Sequence, residues 1–126
     1  MSAPVQPEAE AVVVALMTVP DAAVGEALAR ALVGAGLVAC VNLVPGLRSV
    51  YRWEGGVAVD DELLLIIKTT ADRVGAAQAA ALAVHPYTLP EFVVLPTLGG
   101  HAAYLDWVRQ STRPGLVAAE PPGQLR

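Results

Sequence analysis

VACVNLVPGLRSVYRWEGGVAVDDELLLIIKT, residues 38 to 69, is the stretch that decides the fold. Val38, Cys40, Val41, Leu43, Val44, Val50, Tyr51 and Trp53 are the β-branched, aromatic and apolar residues that strands favour, and Glu54-Gly55-Gly56 marks a tight turn. The stretch reads as one β-hairpin with arms of ~12 to 16 residues, roughly 40 to 50 Å long at ~3.3 Å per residue. A compact chain of 126 residues is only about 35 Å across, so the arms should overhang the domain. Pro45-Gly46 should interrupt the ladder as a bulge or bend, because proline donates no hydrogen bond and glycine tolerates unusual dihedrals. Overhanging apolar arms with unpaired edges invite aggregation in a monomer. Pairing with copies of itself in a closed oligomer is the expected resolution.

Working outward, residues 11 to 18 (AVVVALMT) form a short apolar run that reads as a buried strand. Pro20-Asp21 opens a helix N-capped by Asp21, with Val24, Leu28, Ala31, Leu32 and Ala35 at helical spacing and Gly36 as the stop. The returning hairpin arm ends in LLLII, continuous rather than alternating, as in a central strand covered on both faces. A second helix is expected over residues 70 to 84, capped by Thr70 and ended by His85-Pro86. Residues 91 to 96 (EFVVLP) make a fourth strand, and residues 101 to 112 a third helix. The order β-α-β-β-α-β-α is the split βαβ plan: an α+β, ferredoxin-like sandwich with a long hairpin between its second and third strands and an extra C-terminal helix. Two helices on one face of an antiparallel sheet leave the other face to be covered by a neighbour. The domain should occupy residues 11–112, with mobile tails at 1–10 and 113–126, both rich in Pro, Ala and Glu.

Composition narrows the function. Hydrophobic residues make up 55% of the chain and charged ones 16%, which is rich for a small monomer and again favours buried interfaces. No run approaches the ~18 consecutive apolar residues of a membrane span, and the first residues lack the basic start and apolar stretch of a secretory signal. A lone cysteine, Cys40, suits a reducing compartment, so the chain is expected to be a soluble cytoplasmic protein. A net charge of −4 without a Lys/Arg cluster argues against nucleic acid and anionic membrane as partners.

Several residues could carry chemistry. His85, Tyr87 and Glu91 lie in HPYTLPE, where two prolines hold a short loop. His85 either caps the preceding helix, whose last carbonyls an imidazole can meet, or joins Glu91 in ligating a divalent ion. Cys40, flanked by Ala39 and Val41, reads as a small buried hydrophobe rather than a nucleophile. Met17 offers a thioether suited to Cu(I) or simply fills the core. Lys68 either ends a strand in solvent or sits beside Tyr87 and Glu91 at the mouth of a cleft, binding an anion or acting as a base. Tyr51 and Trp53 alternate with Arg48 and Arg52 as anchors for an interface. Neither a Ser-His-Asp set nor CxxC occurs, and a Lys68–Glu91 acid–base pair lacks a nucleophile, so the chain reads as no enzyme.

The segments ACVNLVPGLRSVYRWEG, ELLLIIKT, HPYTLPE and YLDWV, in that order, resemble the CutA divalent-cation tolerance family across about residues 12 to 112. The resemblance implies a ferredoxin-like homotrimer built by edge-strand pairing, residence in the bacterial cytoplasm, and a part in tolerance to copper and other divalent ions. The family's copper-ligand positions fall here on Met17, Val84 and His85, which leaves His85 with the soft thioether of Met17 as metal ligands. Lys68, Tyr87, Glu91 and Trp53 match the family pattern and imply a ligand cleft between subunits. The alternative is a signalling module of the nitrogen-regulatory PII kind, binding a small anionic ligand in that cleft.

Overall fold

A computed structural model describes residues 8–113. The elements follow the expected order: β1 (Val12–Val19), α1 (Ala22–Gly34), β2 (Cys40–Trp53), β3 (Gly56–Thr70), α2 (Val74–Val84), β4 (Val93–Pro96) and α3 (Ala102–Ser111). The four strands make one antiparallel sheet in the order β2-β3-β1-β4, so β3 lies between the parallel pair β1 and β2, as the split βαβ plan requires.

The hairpin is as long as its residues promised, with 14 residues in β2 and 15 in β3. Trp53 pairs with Gly56 across a two-residue loop in which Glu54 and Gly55 have φ of 50° and 80°. A tight hairpin turn needs φ above zero at both positions to match the twist of its strands. The ladder slips by one residue between Val44 and Leu47, where Pro45 and Gly46 (φ 82°) form the expected bulge. The last β1–β3 pair is Val19 with Leu63. Leu47 to Trp53 and Gly56 to Glu62 therefore run on as a two-stranded ribbon, roughly 20 Å long at ~3.3 Å per residue.

Register separates the two faces of the sheet. Ala15, Met17, Val19, Leu65 and Ile67 share one face and form the main core with Leu28 and Leu32 of α1 and Ala77 and Ala81 of α2. On α1 the buried stripe is Gly25, Leu28, Ala29 and Leu32, whereas Ala31 and Ala35, assigned to it from spacing, are exposed. A side chain on Gly25 would meet Val19 at 3.0 Å and Leu43 at 3.2 Å, so glycine lets α1 approach the sheet. The other face carries Val14, Leu16, Leu64 and Ile66, all half-buried, and exposed Val44, Val93 and Leu95. α3 covers only one end of it, where Val108 packs with Val12 and Ala39. Cys40, expected to be buried, is half-buried there, its Sγ 3.3 Å from the Tyr104 hydroxyl.

The entry to α2 differs from the sequence reading. Thr70 does not cap it: a single 3-10 turn, Ala71–Arg73, intervenes, and the Thr70 hydroxyl donates to Asp72 Oδ1 at 2.6 Å. The reason lies in Arg113, whose two terminal nitrogens grip both Asp72 oxygens at 2.7 and 2.8 Å while also reaching Glu10 and Thr70. Asp72 and Thr70 are thus drawn into a clasp joining the ends of the domain. Of the proposed tails, residues 1–7 and 114–126 lie outside the described residues. Ala9 and Glu10 accept backbone or side-chain bonds from Asp72, Arg109 and Arg113.

Candidate functional site

Where the ribbon leaves the sheet, a cleft of about 730 Å³ opens between the hairpin and the loop after α2, within the usual range for small-molecule sites. Thr18 and Pro20 at the end of β1, Tyr51, Arg52 and Trp53 of β2, Asp60, Asp61 and Glu62 of β3, and Tyr87 and Glu91 of the loop contribute to its walls.

Its geometry follows from strand periodicity. Ser49 pairs with Asp60, Tyr51 with Ala58 and Leu47 with Glu62, which puts Tyr51, Trp53, Asp60 and Glu62 on one face of the ribbon. Glu62 is 8% exposed and stands at the point where β3 loses its β1 neighbour. A buried carboxylate needs partners, and the Tyr87 hydroxyl donates to its Oε2 at 2.7 Å. Burial first, then this hydrogen bond to Glu62, pushes the Tyr87 phenol well above its usual range. The Tyr51 hydroxyl donates in the same way to Asp60 Oδ2, which raises its pKa too. Both phenols thus remain protonated, and both rings are tethered by acids. The Tyr51 and Trp53 rings meet edge to face, centroids 6.4 Å apart at 67°. Asp61, on the opposite face, lies 3.4 Å from Arg48.

His85 supports the loop from behind. Its Nδ1 accepts the Tyr87 backbone N–H at 3.1 Å, so the proton sits on Nε2, which donates to the Thr18 carbonyl at 2.8 Å. The imidazole is 8% exposed and packs against the Tyr87 ring at 4.6 Å. Both ring nitrogens are therefore occupied. It does not cap α2 with its side chain; only its backbone N–H closes the helix, onto Ala81.

Of the residues singled out from sequence, the cleft brings together Trp53, Tyr87 and Glu91. Lys68 stands elsewhere in the chain, six residues along β3 from Glu62 and so roughly 20 Å away, opposite Cys40 and Val14 and bonded to the Asn42 side-chain carbonyl. Met17 is wholly buried at the centre of the core, opposite Leu65. Among the described residues no group of three or more His, Cys, Asp or Glu side chains is gathered closely enough to hold a metal ion. Glu62 and Asp60 were missed by the sequence reading. Their signal was present: carboxylates two apart on a strand, on the face that carries Tyr51 and Trp53.

Comparison with known proteins bears on the same region. The family model described as CutA1 divalent ion tolerance protein matches residues 13–111. The chain belongs to this CutA1 family. The CutA divalent-cation tolerance protein of Thermus thermophilus is 50% identical over 99 residues, covering 79% of this chain and 96% of its own length. The chloroplastic CutA 1 of Oryza sativa is 46% identical over 80% of this chain but only 57% of itself, so the chain spans little more than half of that relative. A solved structure of the Thermus CutA1 protein superposes with a TM-score of 0.79 at 49% identity, covering 81% of this chain and 99% of that one. A structure of the PII-like protein CutA from Nostoc does so with a TM-score of 0.75 at 36% identity, covering 80% and 97%. The CutA1 match spans every element from β1 to α3.

Proposed function

We propose that the chain is a non-enzymatic, homotrimeric cytoplasmic protein that takes part in the response to divalent metal ions, and that the cleft beneath its hairpin is where it binds a small ligand. The observation that carries this reading is the family match over residues 13–111. The homotrimer is supported by the half-bare apolar face of the sheet and by the ribbon, since a two-stranded hairpin standing alone is marginal in water and long unpaired edges seek partners.

The copper part of the reading has no fit in the chain as it stands. Met17 has no exposed surface and His85 has no free lone pair, because Tyr87 holds Nδ1 and Nε2 carries the proton. An ion could use His85 only by breaking one of these bonds. A PII-like role, with a small ligand bound between subunits, is favoured as the second reading by the description of the Nostoc neighbour and by the cleft itself. Lys68 enters such a site only from another subunit.

Equilibrium dialysis of the purified oligomer against copper and other divalent ions, with His85→Ala beside it, tests the metal reading. Binding by the native protein, weakened about tenfold or more in the variant, supports a ligand role for His85. Uptake of no ion at all, alongside a thermal shift with a small organic ligand, leaves the PII-like reading in its place.

A further inference from the structure

Asp60, Glu62 and Glu91 bring three carboxylates to the cleft, while Asp61 and the one lining cation, Arg52, alternate onto the outer face of the ribbon. Arg48 answers Asp61 from the outer face, and hydroxyls rather than cations answer Asp60 and Glu62. The cleft therefore keeps a negative field, which opposes an anion and concentrates cations.

Its other walls are aromatic. Tyr51 and Trp53 stand at 67° to each other and so form two sides of a corner, and Tyr87 lines the same cleft from the loop after α2. Hydrogen bonds to Asp60 and Glu62 fix the two phenol rings before any ligand arrives. Ring faces carry partial negative charge and attract cations within about 6 Å. The ring faces offer no lone pair to a metal ion, both phenol hydroxyls are spent on Asp60 and Glu62, and among the described residues no three carboxylate, imidazole or thiol groups are gathered closely enough to hold one. A ligand that fills about 730 Å³ must bring apolar surface as well as charge.

We infer that the cleft binds an organic ammonium compound, its charged head in the corner of Tyr51 and Trp53 and facing the carboxylates of Asp60, Glu62 and Glu91. This deepens the proposed function and rests on the cleft being the ligand site. Arg52 at the outer wall then selects against a second positive group at that end of the ligand.

The test uses the full-length oligomer and isothermal titration with choline and with its uncharged carbon isostere, which has the same shape without the charge. Choline should bind at least about tenfold more tightly than the isostere, and Trp53→Ala should weaken choline about five- to tenfold, as the loss of one cation–π face predicts. Glu91→Gln, a change at an exposed rim residue, should weaken choline and leave the isostere unaltered. It keeps the test open should Trp53→Ala disturb assembly. Equal affinity for the two probes, or choline binding indifferent to both variants, overturns the inference. If choline fails while ATP raises the melting temperature and Tyr87→Phe abolishes that rise, the ligand class is wrong and the cleft stands. If neither binds, the cleft falls as a ligand site too.

Discussion

The imidazole of His85 spans from the end of β1 to the loop that presents Tyr87, using one nitrogen on each side. Replacing it with Ala leaves a buried carbonyl and a half-buried amide unsatisfied. His85→Ala should therefore lower the urea-unfolding free energy by about 1–3 kcal/mol, whether or not a metal is present. From sequence alone His85 offered two roles, helix cap or metal ligand, and residue type could not choose between them. The choice depends on Thr18, which is 67 positions away. At Glu54 the sequence is more outspoken: a non-glycine residue at φ 50° in a two-residue turn is strained. Glu54→Asn should raise stability by about 0.5 kcal/mol, read from the denaturation midpoint, since Asn-Gly suits this turn better. Arg113 was assigned to a tail because no local pattern marks a residue whose partners are Glu10, Thr70 and Asp72. The Arg113 guanidinium beside it holds the Asp72 carboxyl down to about 2, from 3.8. Because the folded pKa is the lower one, the clasp contributes fully above pH 4 and its contribution fades as pH falls toward 2. Arg113→Ala should cost about 1 kcal/mol at pH 7, allowing for the partial exposure of Asp72, and the difference from the native protein should shrink as pH falls from 4 through 2.

Among the elements, the hairpin was the most legible. Its turn, its bulge at Pro45-Gly46 and its length all follow from residues that leave few alternatives. The helices were legible in existence but less so in facing. Alanine is too small to reveal a buried stripe, so Ala31 and Ala35 looked equivalent to Ala29, and Gly25, which the spacing did not single out, is where α1 leaves no room for a side chain against the sheet. Gly25→Val should destabilise the domain by about 2 kcal/mol through crowding of Val19 and Leu43, measurable as a lowered melting temperature. The start of α2 was misread because Thr70 satisfies the general form of a cap while its hydroxyl is engaged with Asp72 and Arg113. Lys68 was placed beside Glu91 because both seemed to lie at the end of the sheet. Counting from the β1–β3 register puts Lys68 opposite Val14 and Glu62 beyond Val19, so the two belong to opposite ends of β3.

In the whole molecule, one side of the sheet is closed by α1 and α2, while the other exposes Val44, Val93 and Leu95 beside a ribbon carrying exposed Val50, Val57 and Val59. The low charged fraction of 16% already pointed to buried interfaces, and the overhang of the ribbon beyond β1 gives that expectation a location. Association should cover the β4 edge, the half-bare face and the ribbon together, because each alone is a small patch. The cleft lies at the root of the same ribbon, so assembly and ligand binding should be linked: a ligand that binds only the assembled form raises its melting temperature. The most direct measurement of the central claim is light scattering of the purified chain at micromolar concentration. The account predicts a single species of three times the 13.0 kDa chain mass, unchanged on tenfold dilution; a stable species of 13.0 kDa would contradict it.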